Sequence, residues 1–234
     1  MSTGSVRESE PLTINYFEPI MKEKNMTERE KMLAGMIYDP SDNELQTMRT
    51  AAHKLCNAFN KLDEDDKARG EILGKLLPHG NGVYLQGPIY FDYGVFTKFG
   101  KGCFANFNLT ILDCCPVTIG DNVFIGTGVS LVTPVHPLLP TERNMYQNVS
   151  GVLTDKEYAK PIVVGSDCWI ASNVTICGGV TIGQGSVIGA VSVVTRDVPS
   201  GVFAAGNPCR VIRKLTEQDS IYLKLQLWDK KTSE

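Results

Sequence analysis

Residues 162–199 read IVVGSDCWIASNVTICGGVTIGQGSVIGAVSVVTRDVP, and the spacing inside this stretch decides the fold. From Val164 onward every sixth residue is apolar and branched: Val164, Ile170, Ile176, Ile182, Ile188 and Val194. The fifth place of each hexad is small or β-branched, as Cys168, Val174, Val180, Ser186, Ser192 and Val198. Outward from there, the same frame fits Ile119, Ile125 and Leu131, with Val123, Val129 and Val135 in the fifth place. The run FGKGC from Phe99 looks like one more hexad, 20 residues before Ile119, which implies a two-residue slip around 103 to 113. A repeat of six predicts a parallel β-helix, in which each hexad gives one short strand and one turn and three hexads close a coil. Each inward residue stacks on its equivalent about 4.8 Å away in the next coil, forming a ladder no single coil buries alone. The frames 83 to 136 and 164 to 199 amount to roughly five coils. Gly120, Asp121-Asn122, Gly126, Gly165, Asn173, Gly183 and Gly189 are expected to relieve tight corners through positive φ.

Between His136 and Ile162 the period disappears, leaving an excursion, 137–162, that contains Pro137, Pro140, Arg143 and Gly151. Ahead of the repeats, 25–78 reads as a helical cap. Thr27 with Glu30 has the capping-box pattern, and a helix ends before Gly35. Ser41 with Glu44 repeats the device before an apolar stripe of Leu45, Met48, Ala52, Leu55, Cys56 and Phe59. A third amphipathic segment, about 64 to 77, stops at Pro78. Residues 1–24 mix Ser, Thr, Glu and Pro without apolar periodicity and read as a flexible extension. The expected organisation is then mainly β: the cap, a coil domain over 79–214, and a short C-terminal capping helix over 215–234.

Composition narrows the function. The 234 residues carry a net charge of -3, with 42% hydrophobic and 21% charged content, so nucleic acid and anionic membrane surfaces are poor partners. No apolar run is long enough to span a bilayer, and the first ten residues have no basic region followed by an apolar one, which makes the cytoplasm the expected location. Seven cysteines, two of them adjacent at Cys114 and Cys115, do not suit a disulfide framework, and Cys103, Cys115, Cys168 and Cys177 lie inside repeats where a nucleophilic role is not expected. With only His53, His79 and His136 in the chain and no CxxC, no metal site is expected.

The chain resembles the maltose/galactoside O-acetyltransferases of the hexapeptide-repeat, left-handed β-helix superfamily from about residue 25 to 214. The residues that carry the likeness are MTEREKMLAGMIYDPSDNEL at 26–45, FDYG at 91–94, NFNLTILD at 106–113, VTIGDNVFIG at 117–126 and the pair His136-Pro137. YAKPIVVGSDCWIASNVTI at 158–176, VIGAVSVVTRDVP at 187–199 and AAGNPCRVIRKL at 204–215 complete it. The resemblance implies a left-handed coil, a homotrimer with sites between neighbouring coils, and transfer from acetyl-CoA to a hydroxyl without a metal. It implies that His136 is the general base and that Asp39, Asp92 and Asn106 line the acceptor pocket; Cys114 and Trp169 are further candidates for its lining. It places Ser172, Ala190, Thr195, Arg196, Arg210 and Arg213 against CoA. Three positions depart from the family pattern. Cys114 stands where a second acidic residue can follow Asp113, Ala171 replaces the usual Gly after Trp-Ile, and Val191 replaces the Gly of an IGAGS-like run.

Each residue also has a plainer reading. A lone histidine is more often structural. Asn106 is a suitable turn residue, Asp39 a helix terminator before Pro40, and Asp92 a solvated turn carboxylate. Trp169 either packs beneath the helical segment or walls the site, and Arg210, Arg213 and Lys214 form either a solvated face or a phosphate cradle. A metalloenzyme on a similar coil, the γ-type carbonic anhydrase, needs three imidazoles, and only His79 and His136 lie near the coils. A non-catalytic trimeric scaffold is the other reading. Maltose, glucose, galactosides, nodulation-factor-like glycans and antibiotic hydroxyls are all compatible acceptors.

Overall fold

The computed structural model describes residues 26–80 and 82–228; the extension expected over 1–24 lies outside them. The hexads form a three-sided parallel β-helix. Its first face stacks Tyr84–Leu85, Phe104–Ala105, Phe124–Ile125, Trp169–Ile170, Val187–Ile188 and Val202–Ala205 in parallel. That makes six rungs where the repeats alone suggested about five coils. The second face stacks Ile89–Phe91, Leu109–Leu112, Ser130–Val132, Thr175–Cys177 and Val193–Val194. The third stacks Thr97–Phe99, Val117–Ile119, Ile162–Val164 and Thr181–Ile182, with a further bridge from Ile182 to Val198.

The inward residues are the hexad residues read from the sequence: Ile119, Ile125, Leu131, Val164, Ile170, Ile176, Ile182, Ile188 and Val194 are all buried. Burial of each such side chain stabilises by roughly 1.5–3 kcal/mol. The buried Ser186 has its hydroxyl satisfied by donating to the Pro199 carbonyl at 2.8 Å, so the polar group inside the coil does not cost an unmade bond.

Two expectations are corrected. Phe99 pairs with Ile119 as expected, but the slip falls at 112–116, between Ile111 and Ile119, and a matching insertion sits at 92–96 in the preceding coil. Both lie at the corner between the second and third faces, the corner from which the long excursion also leaves. An extra loop is tolerated there because it extends outward without disturbing the stacked strands. Of the expected positive-φ corner residues only Asn122 and Asn173 adopt it. Gly120 and Gly183 are required for close approach instead: a Cβ would stand 2.5 Å from Ser166 N and 2.4 Å from Ser200 N in the next coil.

Helix α1, Glu28–Leu33, is closed by the Thr27–Glu30 capping box. Helix α2, Asn43–Phe59, starts from Asp42, whose carboxylate accepts from Glu44 N and Leu45 N; Ser41, the expected cap, is turned toward Asp39. Asp42 wins because it is one residue nearer the first turn and its charge suits the helix N-terminus. The stripe Leu45, Ala52, Cys56 and Phe59 is buried, and Ala52, Cys56 and Phe59 with α3, Ala68–Leu76, close the open end of the coil. Asn60 pins α2 to the second face, donating to Ile89 O at 2.9 Å and accepting from Ile89 N at 2.7 Å.

After the last coil the chain turns back as Arg210–Lys214, antiparallel to Val202–Ala205. In place of the C-terminal helix expected over 215–234, of which 229–234 lie outside the described residues, the chain forms three separate 3₁₀ turns, Glu217–Asp219, Ile221–Leu223 and Leu225–Leu227. Their apolar side chains are exposed, so no packed face supports a continuous helix of so few residues. Among the described residues no helix is long and apolar enough to cross a membrane.

Candidate active site

The corner between the second and third faces gathers Asp92, Cys114 and His136 from three successive coils. Asp113 fixes this corner from inside. It is fully buried, and it accepts from Tyr93 N at 2.8 Å, Gly94 N at 3.2 Å and Thr97 Oγ1 at 3.0 Å, tying one coil's insertion to the next. Burial raises its carboxyl above the ordinary range, and these hydrogen bonds offset that only in part. Thr133 repeats the tie one coil on, donating to Leu112 O at 2.7 Å and accepting from Cys115 N at 3.0 Å.

Beyond Thr133 the strand Pro134–Val135 pairs antiparallel with Tyr158–Ala159, so the two ends of the excursion are clamped together beside His136. His136 Nδ1 lies 3.0 Å from Asp155 Oδ2, and Nε2 lies 3.7 Å from Glu157 Oε1. With Nδ1–H donated to Asp155, the neutral ring carries its lone pair on Nε2, a tautomer assigned from this geometry. Glu157 accepts from the Tyr38 hydroxyl, and the Tyr38 N–H donates to Glu157 O at 3.0 Å. Burial raises the Glu157 carboxyl, with Tyr38 and His136 pulling it back; burial also raises Tyr38, which stays a phenol.

Cys114 Sγ is 3.6 Å from Asp92 Oδ2, and burial, reinforced by the nearby Asp92 and Glu157 carboxylates, keeps the thiol protonated. Arg49 of α2 closes the same corner, donating to the Tyr93 hydroxyl at 3.1 Å and to Pro40 O at 3.3 Å. Asp39 is adjacent, but its carboxylate is engaged. It accepts from Ser41 N at 2.9 Å, Ser41 Oγ at 2.6 Å, Thr154 Oγ1 at 2.6 Å and Asn148 Nδ2 at 2.8 Å. Burial opposes the charge, yet these bonds together outweigh it and hold the carboxyl at about 2. Asp39 therefore anchors the excursion to the cap.

The other sequence-derived residues lie elsewhere on the coil. Asn106, Ser172 and Ala190 occupy the corner between the first and second faces, a different edge of the prism from His136. Asn106 Oδ1 accepts from Phe107 N at 2.8 Å, a turn contact. Trp169 projects from the first face, 55% exposed, in register with Phe124 and Val187 and not beneath the helices. Thr195 and Arg196 follow Val193–Val194 at the His136 edge, nearer the C-terminal end. Arg210 and Arg213 lie on the antiparallel return strand, where Arg213 makes a two-pronged ion pair with Asp219 at 2.6 and 2.8 Å.

Tyr38, Arg49, Asp155 and Glu157 were not singled out from the sequence. Tyr38 and Arg49 sit in or just after the quoted segment at 26–45, and Glu157 directly precedes the one at 158–176, but Tyr38 and Glu157 are 119 residues apart and nothing local marks them as partners. All seven cysteines are free thiols, and burial pushes Cys56 and Cys115 up to about 11. Among the described residues no group of three or more His, Cys, Asp or Glu side chains is placed to hold a metal ion.

Comparison with known proteins identifies the family. The maltose acetyltransferase hexapeptide capping motif matches residues 31–81, the bacterial transferase hexapeptide (six repeats) matches 161–196, and the hexapeptide repeat of succinyl-transferase matches 114–136. The galactoside O-acetyltransferase of Escherichia coli is 38% identical over 200 residues, covering 85% of this chain and 94% of that protein. The crystal structure of a maltose O-acetyltransferase from Clostridium difficile superposes with a TM-score of 0.75 at 41% identity, covering 82% of this chain and 99% of that one. A hexapeptide-repeat acetyltransferase from Vibrio cholerae, complexed with acetyl coenzyme A, superposes with a TM-score of 0.71 at 36% identity, covering 82% and 100%. A stacked hexapeptide coil, a capping motif matched over residues 31–81 and relatives this similar over nearly their whole length leave one assignment: the chain belongs to the maltose/galactoside O-acetyltransferase family of hexapeptide-repeat acyltransferases.

Proposed function

We propose that this protein transfers the acetyl group of acetyl-CoA to a hydroxyl of a sugar, with His136 as general base. The observation that carries the reading is the His136 imidazole held by Asp155 at a corner shared with Asp92, Cys114 and Arg49. A sugar hydroxyl is a poor nucleophile at neutral pH. The lone pair on Nε2 takes its proton as the oxygen attacks the thioester carbonyl, and the imidazolium formed is stabilised by Asp155 and Glu157. The tetrahedral intermediate collapses with loss of CoA thiolate, which recovers the proton from His136, so no acyl-enzyme is needed. Backbone N–H groups of the facing coil supply the oxyanion donors. Asp92 suits sugar hydroxyls as a charged acceptor.

Because Asn106, Ser172 and Ala190 lie on a different edge from His136, one copy does not complete the site. A homotrimer does, with the His136 edge of one copy against the Asn106 edge of its neighbour. The first face supports association, since Tyr84, Phe104, Phe124 and Trp169 form an outward aromatic row with Phe124 and Trp169 both 55% exposed. CoA then runs along the Ser172–Ala190 corner toward Thr195 and Arg196, with guanidinium groups meeting its phosphates.

The test is CoA thiol release from acetyl-CoA across a panel of sugars, with product analysis. Acetylated sugar supports the reading; release with no sugar acceptor, or none with any acceptor, overturns it. Sedimentation tests the assembly, with Trp169→Lys expected to yield monomers and to lose activity together with assembly.

A further inference from the structure

We propose that the cleft between α2 and the second face is a second sugar subsite, making the preferred acceptor an oligosaccharide or glycoside of at least two units; this rests on the sugar-acceptor reading above. The cleft holds about 270 Å³ and is lined by His53 and Asn57 of α2 and by Tyr90 and Asp92, with the buried Cys56 and Phe91 forming its floor.

Three features point to carbohydrate. The Tyr90 ring faces outward and is nearly half exposed, an apolar plate of the kind that stacks on the C–H face of a pyranose. Around it, Asn57 offers both a donor and an acceptor, His53 one of each, and Asp92 a charged acceptor, a mixed set suited to vicinal hydroxyls. The walls are also rigid, because Asn60 bonds both the N–H and the carbonyl of Ile89 and so fixes α2 to the strand carrying Tyr90. A preformed cleft does not charge the ligand for ordering it.

Asp92 joins this cleft to the catalytic corner. Its Oδ1 lies 3.6 Å from His53 Nε2 on the cleft side, while Oδ2 lies 3.6 Å from Cys114 Sγ on the other. Cys114 in turn neighbours Tyr38 and Glu157, the group around His136. A sugar ring that contacts Asp92 while presenting a hydroxyl to His136 thus has its glycosidic neighbour directed toward Tyr90.

The experiment compares maltose with glucose as acceptors, in the assembled full-length protein, for wild type and for Tyr90→Ala and Asn57→Ala. The ratio of kcat/KM for maltose to that for glucose is expected to fall about tenfold in Tyr90→Ala, the scale of one lost aromatic stack, with most of the change in the maltose KM and Tyr90→Phe restoring it. Circular dichroism and sedimentation identify any variant that fails to fold or assemble; Asn57→Ala, on the exposed face of α2, then carries the comparison. A ratio unaltered in both folded variants, or equal losses on both sugars, overturns the subsite while leaving sugar acetylation standing. No acetylation of either sugar by wild type, alongside thiol release with a non-sugar hydroxyl, overturns both readings together.

Discussion

His136 Nδ1 stands 3.0 Å from Asp155 Oδ2, a contact between the last residue before the excursion and one near its return. The excursion therefore delivers the carboxylate that orients this imidazole, and under the proposed mechanism it belongs to the catalytic apparatus. His136→Ala is expected to lower kcat by roughly 10²–10⁴-fold, the span of a positioned general base, without loss of assembly. Asp155→Ala is expected to lower kcat by roughly 10–100-fold with little change in the KM for acetyl-CoA, as when a histidine loses its orienting partner. Steady-state kinetics with sedimentation decide it. Near wild-type turnover in His136→Ala would falsify the mechanism.

Asp113 links the corner to pH. Burial raises its carboxyl above the unfolded value of about 3.9, so the folded state holds the proton more tightly. The stability this contributes is complete below about pH 4 and is lost as pH rises through the folded value. Asparagine does not titrate. The unfolding free energy of wild type minus that of Asp113→Asn should accordingly decline as pH rises above about 4, measured by urea unfolding. A difference that grows with pH contradicts the burial argument.

Val191 carries backbone strain. It adopts φ +60° at the corner position that Asn108, Gly128 and Asn173 fill in earlier coils. A β-branched residue there costs about 1–2 kcal/mol relative to the right-handed region, whereas asparagine tolerates it. Since Val191 is 68% exposed, replacing it forfeits little burial. Val191→Asn should raise the unfolding free energy by that margin, and a fall in it would show that the side chain packs in the assembly.

Arg213 already spends both prongs of its guanidinium on Asp219. Arg196→Ala and Arg210→Ala should therefore raise the KM for acetyl-CoA more than Arg213→Ala does, with kcat nearly constant, as for contacts remote from the carbonyl. Dephospho-CoA analogues locate the 3′-phosphate contact among them. A larger effect at Arg213 would mean that CoA displaces Asp219.

The sequence alone determined the coil. Six successive hexads fix which residues point inward, because with one strand per hexad only one frame buries Val164, Ile170 and Ile176 together. The N-terminal capping box and the apolar stripe of α2 were legible for the same reason, since both depend on neighbours three or four residues apart. His136 was legible as the place where the period stops. Its partners were not. Asp155 and Glu157 lie in a segment with no repeat, and Tyr38 comes from the cap, so only the antiparallel clamp of Pro134–Val135 on Tyr158–Ala159 brings them to the imidazole. The tertiary structure likewise decided that Asp39 anchors the excursion, that Arg213 is paired, and that Asn106 and His136 stand on different edges. Local periodicity records what a residue does within its own coil; the contacts that make the site cross from coil to cap to excursion, over sequence separations at which spacing carries no signal.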